Sequence, residues 1–475
     1  MKLSKRRPRP SEAGRKRHEV VASSGWQGKR IVIVGLARQG KALARYLTGQ
    51  GASVVVTDQR SADELAAARQ ELADLSVEYA LGGHPGTLLD GADGLCLSGG
   101  VPADLPLAET ARQRGLPVTN DAQIFLEASP AVSVGITGSA GKSTTTALVG
   151  AMGQAAGRTT WIGGNLGRPL LLDLGQMQVN DLAVLELSSF QLELMTASPQ
   201  VAAVLNVTPN HLDRHGTMEA YLAIKGRILD FQPEASAAVL GQEDPAVWGL
   251  RDRVRGRLLS FGWTEPSAGQ GAYLRGGELW LLSEGGVEPI IAVEDVSLIG
   301  DHNLLNTLAA CAIGLALDLP AEAMRQAIAR FNGLPHRLEL VRQVRHASWI
   351  DDSIATTPDR VIAGMRSFKQ PLVLLAGGRD KGLSWGAMAQ EAASRAHHVI
   401  AFGEAANTIA EAIQLVGETA PPVTAVADLE AAVETAAEVV RPGDVVLLSP
   451  GGTSFDAFAD FEARGDRFRQ LVEAL

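Results

Sequence analysis

Apolar runs divide the chain into three similar openings. After Gly28, Ile31-Val32-Ile33-Val34 reads as a buried strand, followed by a glycine-containing turn and a helical stretch to about Gln50. The strand Ser53-Val54-Val55-Val56-Thr57-Asp58 comes next. A second opening starts at Val132-Ser133-Val134-Gly135-Ile136-Thr137 and passes through a Gly-rich loop into a helix beginning near Lys142. From Trp349 onward, apolar strands at Trp349 to Ser353, Pro371 to Gly378, Val399 to Gly403 and Asp444 to Leu448 alternate with helical stretches, which predicts a third parallel sheet. The stretch from Ser260 to Glu294, rich in Gly and short alternating strands, predicts an antiparallel addition at the periphery of the middle domain. The expected fold class is α/β in three domains, 26–127, 128–332 and 333–475, behind a basic segment 1–25 expected to be disordered.

The length of 475 residues supports this count, because one hydrophobic core does not serve a chain of that size. Apolar content of 46% and charged content of 20% describe an ordinary globular protein. A net charge of -10 gives no overall attraction for phosphate backbones, so nucleic acid is not an expected partner, and an anionic substrate must be held by locally placed groups. Cys96 and Cys311 are too few for a disulfide framework or a zinc site and read as core thiols in a reducing compartment. No run approaches eighteen apolar residues, and the basic segment Met1 to His18 has no apolar stretch behind it; the expectation is a cytoplasmic protein with no membrane span.

The segment Thr137-Gly138-Ser139-Ala140-Gly141-Lys142-Ser143-Thr144 lies between strand and helix, where backbone N–H groups cradle phosphate oxygens. Lys142 would neutralise phosphate charge and Ser143 would reach a magnesium ion, although the glycine spacing departs from the strict P-loop pattern. Two later strands end in groups suited to a hard cation: Leu182 to Leu187 carries Glu186, and Val201 to Val207 runs into Asn210-His211-Leu212-Asp213. Each alone is more often a satisfied polar group at a strand end; together they suggest the metal side of an ATP site. The first domain's Gly35-Leu36-Ala37-Arg38-Gln39-Gly40 with Asp58 imitates a dinucleotide fingerprint, with Ala37 where the second glycine belongs. That leaves an NAD-linked oxidoreductase open as a reading of a different class.

Several segments resemble the Mur ligases, and within them the ligases that add D-glutamate. The resemblance runs from about Gly28 to the end. It rests on the loop Thr137 to Thr144, Gly163-Gly164-Asn165-Leu166-Gly167, Glu186-Leu187-Ser188-Ser189-Phe190-Gln191-Leu192 and Asn206-Val207-Thr208-Pro209-Asn210-His211-Leu212-Asp213. Further matches are His302-Asn303 with Asn306, Leu334-Pro335-His336-Arg337, Asp352-Ser353-Ile354-Ala355-Thr356-Thr357-Pro358, and Ser454-Phe455 near the end.

The resemblance implies a Rossmann-like N-terminal domain, a central P-loop-type ATPase domain and a Rossmann-like C-terminal domain that closes over the site. It implies ATP and Mg2+ as cofactors, UDP-N-acetylmuramoyl-L-alanine and D-glutamate as substrates, an acyl phosphate intermediate, and a monomer. By the same resemblance, Gly138 to Thr144 with Asn306, Arg337 and Asp352 hold ATP. Ser143, Glu186, His211 and a carbamylated Lys225 serve the metal, with Lys142, Lys225 and His211 taking part in catalysis. Gly35, Leu36, Ala37, Asp58, Arg60, Asn165, Ser188 and Gln191 bind the UDP substrate, and Thr356, Lys381, Ser454 and Phe455 bind glutamate.

On residue type alone, Lys225 is a helix-surface charge, Asp352 a strand-end cap and Arg337 a surface ion-pair partner. Ile354 stands where the family commonly has lysine, Ala140 where it has Asn, and Gly451-Gly452-Thr453 where it has a small cysteine-containing triplet. L-Glutamate therefore stays open as the alternative acceptor. The Asp-Asn-Pro-Arg pattern of ligases that add diaminopimelate or lysine is absent, and folylpolyglutamate synthase has no N-terminal domain of this kind.

Overall fold

The computed structural model describes residues 25–165, 167–209, 212–298 and 300–475. The expectation for the basic N-terminal segment, Leu166 of the glycine-rich match, and the metal and catalytic assignments of His211 lie outside the described residues. The chain forms two compact units. One comprises the chain up to Val132 with Arg168–Val179 and Glu193–Ala197; the other comprises Ser133–Gly167, Asn180–Leu192 and Ser198–Leu475.

The first unit is built on a five-stranded parallel sheet ordered Val77–Leu81, Ser53–Asp58, Arg30–Val34, Gly94–Leu97, Val118–Asn120. Helices cover such a sheet, so its strands are apolar almost without interruption, and Ile31 to Val34 and Val54 to Val56 are buried. The helix Arg38–Gly49 packs tightly against the turn before it: a Cβ at Gly40 would fall 1.9 Å from the Gly35 carbonyl oxygen, and Gly35 itself has φ +93°.

The second unit holds two sheets. Nine strands run in the order Gly286–Ala292, Glu278–Ser283, Gly271–Arg275, Arg257–Gly262, Ala237–Gly241, Val201–Val204, Val132–Thr137, Leu182–Glu186, Thr160–Gly164. The antiparallel addition expected from Ser260 to Glu294 is present and continues the same sheet, with Gly271–Arg275 joining its parallel neighbour before the direction alternates. The strand expected over Val201 to Val207 stops at Val204. Leu205 still donates to the Thr137 carbonyl, but Val207 donates to the Asp244 carboxylate and Asn206 turns to the phosphate loop, so side chains replace the ladder.

The third sheet is ordered Glu339–Val344, Ala347–Asp351, Val445–Gly451, Leu372–Gly377, Ala396–Phe402, Val423–Val426. Its first two strands form an antiparallel hairpin whose loop residues Arg345 and His346 both have positive φ; the remaining pairings are parallel. Apolar clusters cover both faces, one around Ile350, Leu374 and Leu447, the other around Trp349, Leu375 and Phe468. Cys96 and Cys311 are buried free thiols, and burial pushes both pKa values up to about 12. Among the described residues no helix is long and apolar enough to cross a membrane.

Candidate active site

The carboxyl ends of three adjacent strands in the nine-stranded sheet meet at the phosphate loop. Val132–Thr137 feeds Gly138 to Gly141 and then the helix Lys142–Ala155, whose N-cap, Gly141, has φ +83°. A Cβ there would also fall 2.0 Å from Asn306 Oδ1, so glycine is required both by backbone conformation and by the approach of the helix Asp301–Ala316. Asn206 secures the other side: Ala140 N–H donates to its Oδ1 at 2.9 Å, its Nδ2 donates to the Ala140 carbonyl at 3.1 Å, and Ser139 N–H donates to its backbone carbonyl. Ser139 Oγ donates to the Thr208 carbonyl at 3.0 Å, and Thr144 is buried on the first turn of the helix. These bonds fix the loop without occupying the helix N-terminus that an anion would use.

Lys142 Nζ donates to the carbonyls of Gly138 and Ser139 at 2.9 and 3.1 Å. Burial lowers its pKa, Glu186 opposes this, and the cations Arg337 and Arg360 lower it further. Glu186 is buried and accepts from Ser143 Oγ at 2.6 Å and from Asn165 Nδ2 at 2.9 Å. Ser143 and Glu186 thus bring two hard oxygen donors together beside the loop, a donor set that suits magnesium.

Lys225, on the helix Met218–Asp230, is not a surface charge. It is 1% exposed, donates to the Gly138 carbonyl at 2.9 Å, and lies 4.6 Å from the centre of the Tyr221 ring. Burial and the neighbouring Lys142 charge push its pKa down to about 7 against the opposing pull of Glu186. Much of it is therefore free amine near neutral pH.

Two groups from the third-sheet region join this cluster. Arg337 is in the field of Lys142 and of Asp352, and burial lowers its pKa. Asp352 follows the strand Ala347–Asp351 and is buried; burial pushes its pKa up to about 7, opposed by the hydrogen bond from Ser449 Oγ at 2.8 Å and by Arg337. Asn306 is buried and donates to Asn303 Oδ1 at 3.1 Å, next to Gly141.

At the carboxyl edge of the third sheet, Lys381 Nζ donates to Thr356 Oγ1 at 3.4 Å. Paired backbone bonds between Arg379 and Thr453 hold the 379–381 loop beside Ser454 and Phe455. Ser454 is buried, whereas Phe455 is 61% exposed. Burial lowers the Lys381 pKa, as do Arg360 and Arg464. Arg464, fully buried, donates to the Ser353 carbonyl at 2.9 Å, to Ser353 Oγ at 3.0 Å and to the Gly452 carbonyl at 3.3 Å, and so ties the two acceptor-side loops together.

Arg360 and Arg464 were not singled out from the sequence, and Asn206 entered only as the first residue of a matching segment, without a role. The Asn206 side-chain bonds and the contacts of the two arginines depend on tertiary placement that residue type does not announce. His336, Glu339 and Asp351 also converge, but His336 Nδ1 bonds Asp351 at 2.8 Å and Arg469 pairs with Glu339 at 2.8 Å, so that group is closed by its own interactions.

In the first unit, Leu36 N–H donates to Asp58 Oδ2 at 2.8 Å, and Arg60 holds the same carboxylate through Nε and Nη2 at 3.1 and 2.8 Å. Burial works to raise the Asp58 pKa, but the Arg60 guanidinium and the N–H groups of Leu36 and Arg60 outweigh it and hold the carboxyl well below the usual range. Gly35, Leu36 and Ala37 form the turn before the helix Arg38–Gly49. Of the other residues expected around the UDP substrate, Asn165, Ser188 and Gln191 belong to the second unit. There Ser188 donates through N–H and Oγ to Gln191 Oε1 at 3.1 Å, and Asn165 holds Glu186.

Known families and proteins match this arrangement along most of the chain. Residues 29–120 match the Mur ligase MurD-like N-terminal domain, 136–314 the Mur ligase middle domain, and 336–452 the Mur ligase glutamate ligase domain. A UDP-N-acetylmuramoylalanine--D-glutamate ligase of Symbiobacterium thermophilum is 39% identical over 449 residues, covering 94% of this chain and 98% of the relative. One of the same name from Geobacter metallireducens is 38% identical with the same coverage. Among solved structures, a UDP-N-acetylmuramate-alanine ligase, MurC, of Thermotoga maritima superposes with a TM-score of 0.58 at 19% identity, covering 94% of this chain and 99% of that one. The likeness in fold extends to a pseudomurein peptide ligase of Methanothermus fervidus, TM-score 0.54 over 94% of this chain and all of that chain. With three family domains in order and relatives this similar over nearly their whole length, the chain belongs to the Mur ligase family.

Proposed function

We propose that this chain joins D-glutamate to UDP-N-acetylmuramoyl-L-alanine with conversion of ATP to ADP and phosphate, a step of peptidoglycan synthesis carried out in the cytoplasm by a monomer. Relatives matched over 94% of the chain carry that activity in their names. The observation that carries the reading is the phosphate loop with Ser143 bonded to Glu186 beside it and Arg337 near enough to act on both Lys142 and Asp352, together with the Lys381–Thr356 pair at the edge of the adjoining sheet. Lys142, Arg337, Asp352 and Lys381 all belong to one compact unit, which supports a phosphate site and a carboxylate site serving one reaction. The domain limits that go with it are 26–127 for the UDP-substrate domain, 128–332 for the ATP domain and 333–475 for the glutamate domain.

In the proposed reaction an oxygen of the alanyl carboxylate attacks the γ-phosphorus of ATP. The bond from that phosphorus to the bridging oxygen breaks and ADP leaves. The glutamate amine nitrogen then attacks the acyl carbon and loses a proton, and the tetrahedral intermediate expels inorganic phosphate. Phosphoryl transfer is governed by positioning and charge stabilisation, and Lys142 on the phosphate loop supplies both. Gly138 to Thr144 hold the phosphates, and Asn306, Arg337 and Asp352 hold the remainder of the nucleotide. Gly35, Leu36, Ala37, Asp58 and Arg60, with Asn165, Ser188 and Gln191, hold the UDP substrate. Thr356, Lys381, Ser454 and Phe455 hold glutamate, with Lys381 set against a carboxylate.

Ser143, Glu186, His211 and Lys225 would hold magnesium, which supplies Lewis-acid neutralisation of phosphate charge when bound. For Lys225 this requires conversion to a carbamate: its free amine adds to carbon dioxide and releases a proton, leaving a carboxylate on the side chain. A pKa near 7 favours that step, because only the free amine is nucleophilic.

The reading is tested by incubating the protein with ATP, magnesium, UDP-N-acetylmuramoyl-L-alanine and D-glutamate. Phosphate release that requires all four is expected. Release without glutamate, or hydride transfer to a nicotinamide cofactor instead, would overturn it.

A further inference from the structure

The strand Val77–Leu81 of the first sheet ends in a loop with few side chains. Gly82 and Gly83 take positive φ, +85° and +152°, and a Cβ on either would meet nothing within 4 Å. Their N–H groups fold the loop over the end of the neighbouring strand: Gly82 donates to the carbonyls of Asp58 and Arg60 at 3.0 Å, and Gly83 to that of Asp58 at 3.1 Å. His84 is the first side chain after this bend, and its ring reaches Thr57, the residue before Asp58.

The hydrogen bonds of Thr57 set the state of that ring. Thr57 Oγ1 lies 2.8 Å from the Gly83 carbonyl and 2.9 Å from His84 Nδ1. A carbonyl cannot donate, so the one hydroxyl proton goes to Gly83 and the proton of the second bond is on Nδ1. The neutral imidazole then carries its lone pair on Nε2, and among the described residues Nε2 has no hydrogen-bond partner. Burial lowers the His84 pKa against the pull of Asp58, which keeps the ring neutral at pH 7. Asp58 itself has no acceptor capacity left. A carboxylate offers about four lone-pair sites, and Leu36 N–H, Arg60 N–H, Arg60 Nε and Arg60 Nη2 approach them at 2.8, 3.0, 3.1 and 2.8 Å.

A uridine diphosphate group needs partners of both kinds. Its phosphate oxygens accept, and its uracil carries a donor, N3–H. In sheets of this kind a nucleotide lies across the carboxyl ends of the strands with its phosphates at the first glycine turn. From that turn outward the strands run Arg30–Val34, Ser53–Asp58, Val77–Leu81. Phosphates at Gly35 to Ala37 therefore put the base, beyond the ribose, at the end of Val77–Leu81, beside His84. We propose that His84 is a specificity-determining residue for the UDP substrate, its Nε2 accepting a hydrogen bond from the uracil N3–H. A base without that N–H would leave a desolvated lone pair unpaired, which is the stronger form of discrimination. This inference rests on the reading of the first domain as the one that takes the UDP substrate.

The test measures competition by UDP and by N3-methyl-UDP against UDP-N-acetylmuramoyl-L-alanine in the phosphate-release assay, for wild type, His84→Ala and Thr57→Val. Wild type is expected to prefer UDP by about 10- to 100-fold, and His84→Ala to reduce that preference to about threefold or less. In His84→Ala the KM for the UDP substrate should rise about tenfold while kcat and the KM for ATP stay within about twofold. Thr57→Val removes the brace on the ring and keeps the acceptor, so it should retain a preference of about fivefold or more. A wild type without preference, or a His84→Ala protein that keeps the wild-type preference, overturns the assignment. So does a Thr57→Val protein that loses the preference as completely as His84→Ala, because His84 would then act only as a brace for the loop. If wild type shows no acceptor-dependent phosphate release at all, the ligase reading falls, and the assignment of His84 with it.

Discussion

Two glycine turns in this chain are built alike and charged differently. Both follow a buried parallel strand and open a helix: Gly35 to Ala37 before Arg38–Gly49, and Gly138 to Gly141 before Lys142–Ala155. At the first, the ionisable groups satisfy each other, with Asp58 bound by Arg60 and by the Leu36 N–H. At the second, Lys142, partly buried, and Lys225, fully buried, both donate to backbone carbonyls, and the Lys225 pKa has fallen to about 7. A closed ion pair suits recognition, because its charge state does not change near neutral pH. Buried amines without a carboxylate partner are poised for chemistry, since an incoming anion or a covalent modification relieves their cost. The strand–turn–helix scaffold is the same; the function follows from the charges placed on it.

Removing charge from the second turn should have the largest effect. Lys142→Ala is expected to lower kcat by about 10³-fold or more with the far-ultraviolet circular dichroism unchanged, as for other transition-state contacts to a transferred phosphoryl group. Turnover within tenfold of wild type would take phosphoryl transfer away from this loop.

Lys225→Ala should lose about 10²- to 10³-fold and regain part of its rate with short carboxylic acids, whose oxygens replace those of the carbamate. A fully active Lys225→Ala protein would end the carbamate proposal.

Stability against pH sharpens the contrast. In the folded protein Asp352 titrates near 7, well above its ordinary 3.8, so between those values the folded state binds more protons than the unfolded state. Its contribution to stability therefore falls as pH rises from about 4 to about 7. Asp352→Asn should remove that slope and gain on the order of 2 kcal/mol relative to wild type at pH 7 compared with pH 4. Parallel curves for the two proteins in urea would show that Asp352 is not held protonated. Lys225 acts in the opposite direction, its burial cost easing as pH rises from about 7 toward 10.5, so the two contributions occupy adjoining windows.

The smallest effect belongs to the first turn. Arg60→Ala should raise the KM for the UDP substrate about tenfold and leave kcat within about twofold, the signature of lost uniform binding. An equal fall in kcat would place this pair in the chemistry instead.

Much of this was legible from the chain itself. The runs Ile31 to Val34, Val132 to Thr137 and Leu372 to Gly377 are apolar because helices cover both faces of their sheets, so periodicity alone locates them. The edge strands Glu339–Val344 and Val423–Val426 escaped, since each is short and partly exposed and its pattern resembles a loop. The contrast at the site has the same origin. Lys142 and Glu186 were readable because each stands at the end of an apolar strand or loop with a fixed spacing. Lys225 reads as a surface charge in Ala223-Ile224-Lys225-Gly226-Arg227 until the fold buries it against Gly138. Asn206, Arg360 and Arg464 depend wholly on partners far away in sequence or across a turn, which no local pattern encodes.

The central claim is that this chain ligates D-glutamate, with Lys381, Thr356, Ser454 and Phe455 aiming its amine at the acyl phosphate. It is tested most directly by turnover with D-glutamate and L-glutamate supplied separately, at saturating ATP and UDP-N-acetylmuramoyl-L-alanine. Exchanging two substituents at one carbon misaims either the amine or a carboxylate, and a buried unpaired charge discriminates by several orders of magnitude. The account predicts a preference for D-glutamate of about 10³-fold or more in kcat/KM. Equal rates, or a preference for L-glutamate, would contradict it.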